Sequence, residues 1–192
     1  MNPAKGMPSS VRRRWVRMDR ELNTLLDRLQ GHDSHILNGQ PEAGKWSALQ
    51  VLHHLLRSEQ LALAYLRKKL SGDTDTLPPA TLEHRLRSFA LTWWLRTPLK
   101  VKAPAAVSGE HLPDHSDLAE LRQTWHLLRS DFQAFLEEQP KAVFGKAVFR
   151  HPFAGRLTLP GMQTFMHEHF RRHRRQALRT VKEMADKAGK TA

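Results

Sequence analysis

The sequence predicts an all-α protein, a four-helix bundle that is mainly up-and-down, with one long connection and a short extra helix or loop segment. Three observations predict it. Apolar residues recur every three or four positions over long segments. The breaks between those segments carry Pro or Gly, and no stretch keeps a strand-like alternation. A chain of 192 residues suits one domain. At that size about 70% of the unfolded surface can be buried, so no disulfide or structural zinc is needed. The domain is expected over residues 10–185, with residues 1–9 and 186–192 as flexible termini.

The first helix is read from Ser10 to Gln30, where Trp15, Met18, Leu22, Leu25, Leu26 and Leu29 form one apolar stripe before Gly31. In "WSALQ", Ser47 and Gln50 have the spacing of a capping box, which opens a second helix running to about Leu70. A third spans about Thr81 to Arg96 and closes at Pro98. The stretch "KVKAPAAVSGEHLPDHS" is a long irregular connection. A fourth helix begins near Ser116, with Leu118, Leu121, Trp125, Leu128, Phe132 and Phe135 on one side, and stops before Pro140. The next segment, "KAVFGKAVFRHPFAGRLTLP", reads as a loop with room for a short turn or hairpin. The last helix is capped by Thr158, tolerates Pro160 in its first turn, and runs to about Ala185. Amphipathic helices with one stripe each bury those stripes against one another.

Composition narrows the chemistry. The chain has no cysteine, which excludes disulfides, thiolate ligands, Fe–S clusters and a cysteine nucleophile. Any transition-metal site must use His, Asp, Glu and water. No apolar run suits a membrane span, and "MNPAKGMPSSVRRRW" lacks the apolar core of a secretory signal; a cytoplasmic protein with no membrane partner is expected. The net charge is +12. Clustered cations can bind phosphate backbones, but the basic residues are scattered. The densest runs, Arg12–Arg14 and Arg171–Arg175, lack the interleaved aromatics of a stacking platform. Nucleic acid is therefore an unlikely partner, and the charge reads as a solvated surface.

The histidines of "MHEHFRRHRRQ" separate by helical phase. With Met162 as reference, His169 and His173 fall about 20° either side of the apolar centre, whereas His167 lies about 140° away among arginines. His169 and His173 thus point into the core, and His167 is expected on the solvated basic face. Two imidazoles one turn apart, a rise of about 6 Å, can reach one metal from the same side. A third ligand must come from another helix, and "VLHHLLRSEQ" offers His53 and His54. The wheel leans to His54, which shares a flank with Val51, Ser58, Leu61 and Tyr65, over His53 beside Arg57, without deciding between them. His84, His111, His115, His126 and His151 stand singly and read as solvated or structural. Glu59 lies in the apolar stripe of its helix, where it could orient a ligand imidazole or pair with a buried arginine; it is the one weak candidate for a catalytic group. No zinc-protease H-E-x-x-H, Walker A loop, G-x-G-x-x-G turn or G-x-S-x-G elbow is present.

"GKWSALQVLHHLLRSEQ" and, far downstream, "HPFAGRLTLPGMQTFMHEHFRRHRRQ" resemble the DinB-like superfamily, which includes metal-dependent thiol S-transferases. The family pattern pairs a Trp-Ser helix start and a His eight residues after the Trp with a final H-x-x-x-H followed by Gln. Here those positions are Trp46, His54, His169, His173 and Gln176. The resemblance implies a divalent metal, zinc or nickel, on His54, His169 and His173, and in many members a homodimer. The leading expectation is an enzyme that transfers a low-molecular-weight thiol to a small-molecule electrophile. The alternatives are a metal-dependent hydrolase and a non-enzymatic metal-binding or interaction module with a basic surface.

Overall fold

The computed structural model describes residues 5–97 and 112–191; Pro98, His111 and most of the long connection lie outside them. Among the described residues there are six α-helices: α1 Ser9–Gln30, α2 Ser34–Asn38, α3 Ala48–Leu70, α4 Leu82–Arg96, α5 Leu118–Glu137 and α6 Leu159–Thr191. Between α5 and α6 lies a hairpin of β1 Phe149–His151 and β2 Gly155–Leu157, paired antiparallel.

The local signals act as the sequence suggests. Gln50 N–H donates to Ser47 Oγ at 3.1 Å and Ser47 N–H to Gln50 Oε1 at 3.0 Å, closing the capping box of α3. Gly161 N–H donates to Thr158 Oγ1 at 3.1 Å at the start of α6. At α4 the cap is completed by a histidine, as Thr81 N–H donates to His84 Nδ1 at 3.1 Å. At α5 the cap is Asp117, which accepts from the N–H groups of Ala119 and Glu120.

Four long helices close a ring whose order is α1, α5, α3, α6. Consecutive long helices α1 and α3 therefore stand across the diagonal, joined through α2 and its loops. Helix α4 is the extra helix. It packs outside the ring against α6 and β2, close to the first turn of α6, because a Cβ on Gly161 would lie 2.6 Å from Ser88 Oγ. Its outer side leaves Leu82, Leu86, Phe89 and Trp93 between 59% and 71% exposed.

Two apolar clusters fill the ring. One gathers Trp15, Met18, Leu66, Phe132 and Met162; the other gathers Leu22, Leu26, Leu52, Trp125 and Phe170. Fully burying each such side chain is worth about 1.5–3 kcal/mol relative to leaving it exposed. Along α1, α3 and α5 the boundary between the clusters falls at Asp19, Glu59 and Arg129. These three form an ion-pair group in which Arg129 and Glu59 are buried and Asp19 is partly exposed: Arg129 Nη2 to Glu59 Oε1 at 2.8 Å and Nη1 to Asp19 Oδ1 at 3.0 Å.

Helix α6 continues past Ala185 to Thr191. Part of its last third touches the loop that follows α2. Met184 packs against Gly39, where a Cβ would come within 2.3 Å of its Cε, and Lys187 Nζ donates to the Pro41 carbonyl.

Candidate metal centre

Helices α3 and α6 pack directly on one another, and this contact brings three imidazoles together. Ring nitrogens of His54, His169 and His173 lie within 4.8 Å of each other. His54 Nε2 is 3.3 Å from His169 Nε2. The ring centroids stand 5.2 Å apart for His54 and His169, 4.7 Å for His54 and His173, and 4.6 Å for His169 and His173. The i, i+4 spacing on α6 supplies two rings, and the capped start of α3 supplies the third.

The surroundings hold these rings in place. Gln176 Oε1 lies 2.9 Å from His173 Nδ1. A carbonyl oxygen only accepts, so Nδ1 keeps the proton and the Nε2 lone pair stays free, the usual way an outer group fixes a ligand tautomer. Phe165 stacks on His169 at 5.4 Å with the planes 17° apart, and Trp46 sits 5.1 Å from His54. His54 is buried, while His169 and His173 are partly open.

Burial pushes His169 well below the ordinary histidine range, and the neighbouring His173 and His54 push it further. Burial, then His54, lowers His173 to about 3. Both are therefore neutral near pH 7, the state that binds metal. The ring nitrogens converge on one small region, with Nε2 of His54 and His169 3.3 Å apart, an arrangement that one shared cation fits. Among the described residues, no carboxylate joins the cluster. Three imidazole donors with partial access fit a divalent metal such as zinc or nickel, whose open sites use ligand sets of this kind.

A family model described as the DinB superfamily matches residues 17–177. The chain belongs to the DinB superfamily. No curated protein and no solved structure matched it.

In this DinB-superfamily chain the structure separates the two adjacent histidines of α3. His53 Nε2 lies 2.6 Å from Ser116 Oγ, tying α3 to the start of α5, while His54 faces the cluster. Glu59 takes the ion-pair reading. Its oxygens accept from Arg129 Nε at 3.0 Å, Arg129 Nη2 at 2.8 Å and Trp125 Nε1 at 2.9 Å.

One expectation is overturned. His167 is not on a solvated face; it is 5% exposed, with Nε2 3.2 Å from Glu21 Oε2. The phase argument assumed one buried face, but α6 is packed by α1, α3 and α4 together. Arg171 joins the same contact, its Nη2 2.6 Å from Glu21 Oε1. Burial would raise the Glu21 carboxyl, but Arg171 and His167 prevail and hold it at about 2.

The basic runs are also built into the fold. Arg12 pairs with Glu137, and Arg14 donates to Thr164 Oγ1 and the Pro160 carbonyl. Arg172 donates to the carbonyl of Thr97 at 2.9 Å and lies over Trp94.

The sequence reads His151 as solvated or structural; the structure takes the second, with the ring buried beside the centre. Its ring is 4.5 Å from Phe165, the residue stacked on His169. Burial lowers it to about 4. The signal was present but short: β1 alternates buried Phe149, exposed Arg150 and buried His151, too few residues for periodicity to register.

Proposed function

We propose that this chain is a divalent-metal-dependent thiol S-transferase, with His54, His169 and His173 holding the metal. The observation that carries the reading is the convergence of three neutral imidazoles at a partly open position with no carboxylate among them. When bound, zinc or nickel supplies Lewis acidity that favours a thiolate over a thiol at neutral pH. The chain's own residues do the rest. Gln176 keeps the His173 lone pair available, and the Phe165 and Trp46 rings wall the site against water on two sides.

A cysteine-free chain must receive its sulfur from a low-molecular-weight thiol. In the transfer a new S–C bond forms at the electrophilic carbon. The electron pair of the broken bond leaves with the displaced group, and the thiol proton passes to water. Hydrolysis would call for a general base near the metal, and the nearest candidate from sequence, Glu59, is engaged by Arg129 and Trp125. That favours thiol transfer.

The test begins with elemental analysis of protein purified without an affinity tag, where one divalent metal per chain is expected. Metal-loaded and metal-free protein are then incubated with thiol and electrophile pairs and read by mass spectrometry for adducts. Adduct formed only by the loaded protein supports the proposal. Stoichiometric metal without any adduct above the uncatalysed rate removes the transferase reading and leaves a metal-binding module.

A further inference from the structure

Beside the metal centre lies a cleft of about 760 Å³ between α4 and the β1–β2 hairpin. Arg87 and Trp94 line it from α4; Arg150, His151 and Phe153 line it from the hairpin. Its volume is that of small-molecule sites, which run to about 300–1,000 Å³. The cleft and the imidazole cluster share a wall, since His151 contacts Phe165 and Phe165 stacks on His169.

The lining has a definite chemical character. It carries two guanidinium groups and no carboxylate. Arg150 makes no ion pair among the described residues and is exposed. Arg87 is held at the edge by Glu83 on its own helix and by Gly155, where a Cβ would lie 2.8 Å from Arg87 Nη1. Gly155 also has φ +70°, which favours glycine, so the hairpin turn and the arginine's seat depend on one residue. The Arg87–Glu83 pair is exposed on both sides and contributes little, so the guanidinium can still meet an anion.

Two aromatic groups complete the walls. Phe153 is 66% exposed, and one face of the Trp94 ring is covered by the Arg172 guanidinium at 5.5 Å. His151 adds an oriented donor. Its Nδ1 accepts from the N–H groups of Phe153 at 3.2 Å and Ala154 at 3.1 Å, so the neutral ring carries its proton on Nε2.

We propose that this cleft binds an organic anion with a flat apolar body, the charge met by Arg150 and Arg87 and the body by Trp94 and Phe153. Phe165 stands between the cleft and the imidazole cluster, so the anion site is distinct from the position that the three imidazoles share. Anion binding itself does not depend on the metal.

The test uses 1-naphthoate, with 1-naphthalenemethanol as its uncharged counterpart. Each is titrated calorimetrically into the full chain, metal-free and metal-loaded. Naphthoate should bind both forms, and the alcohol at least about tenfold more weakly, the scale of one hydrogen bond to a charged group. Arg150→Ala should weaken naphthoate about tenfold, and Phe153→Ala should weaken both compounds. Arg85→Ala, an exposed arginine of α4 outside the cleft, should change neither.

Equal loss in Arg150→Ala and Arg85→Ala would mean diffuse attraction to a basic surface and would overturn the proposal, as would no binding at all. If the metal proves absent but naphthoate still depends on Arg150, the cleft stands and the transferase reading falls. If metal is bound and naphthoate is not, the reverse holds.

Discussion

Two of the polar clusters inside this bundle are built on opposite terms. At the boundary of the apolar core, Arg129 meets Glu59 and Asp19. The guanidinium also lies 5.6 Å from the Trp125 ring centroid and 5.9 Å from that of Phe170. Opposite charges meet, and the guanidinium of Arg129 is matched donor to acceptor with two carboxylates. Between α3 and α6, three groups of one kind meet with no acid to balance them. The first cluster is closed, and adding a ligand to it would break something. The second offers three ligand atoms of one kind to a single position.

The comparison breaks most visibly at the imidazoles. His169→Ala and His173→Ala should each abolish stoichiometric metal, measured by elemental analysis after dialysis, and leave a folded protein. His167→Ala should keep its metal, because that ring faces Glu21. Equal metal loss in His167→Ala would mean that the cluster has been assigned to the wrong rings.

The closed cluster should respond in the other sense. Glu59→Ala leaves a buried guanidinium underpaired and should cost about 3–5 kcal/mol in urea unfolding. The double replacement Glu59→Leu with Arg129→Met should recover much of that. Metal stoichiometry in the double variant should match the unaltered chain, and loss of metal there would show that the two clusters are not independent.

A finer change sharpens the contrast. Gln176→Ala removes the group that orients His173 without removing a ligand. Metal affinity should fall about 10–100-fold, read by competition with a chelator, with little change in the melting temperature of metal-free protein. An unchanged affinity would show that Gln176 does not set the tautomer.

The gentlest probe is pH. His169, His173 and His151 are all lowered by burial, whereas the unfolded chain titrates its histidines near 6.5. The unfolded state therefore binds more protons over this range, and stability falls as pH drops. The loss begins near pH 6.5 and continues toward the folded values of about 4 for His151 and about 3 for His173. Each imidazole contributes up to about 1.4 kcal/mol per pH unit. Metal-free protein should unfold at lower urea at pH 5 than at pH 7.5; a flat profile would mean that the rings are not buried as described.

Some of this was legible before any coordinates. His169 and His173 could be read because both fall on the apolar arc of one long helix; the wheel did not separate His54 from His53, and only the resemblance, through the place eight residues after Trp46, selected His54. His167 could not, since a wheel assigns one inner face and α6 has neighbours on three sides. Glu59 could not be settled because its partner Arg129 lies on a different helix, a pairing no local window contains. His151 was hidden in a three-residue strand. Toward the end of α6, Met184 lies against Gly39 and Lys187 donates to the Pro41 carbonyl, contacts that no local window of sequence contains.

Because two of the three imidazoles ride on one helix, their mutual spacing is set by backbone geometry, and the third approaches along a single direction. The separation of α3 and α6 then sets the distance of the third ring, and the apolar residues packed between the helices, not the rings themselves, determine it. On the metal-binding reading proposed above, a wider seam would change the size of the ion that fits while the three rings stayed the same.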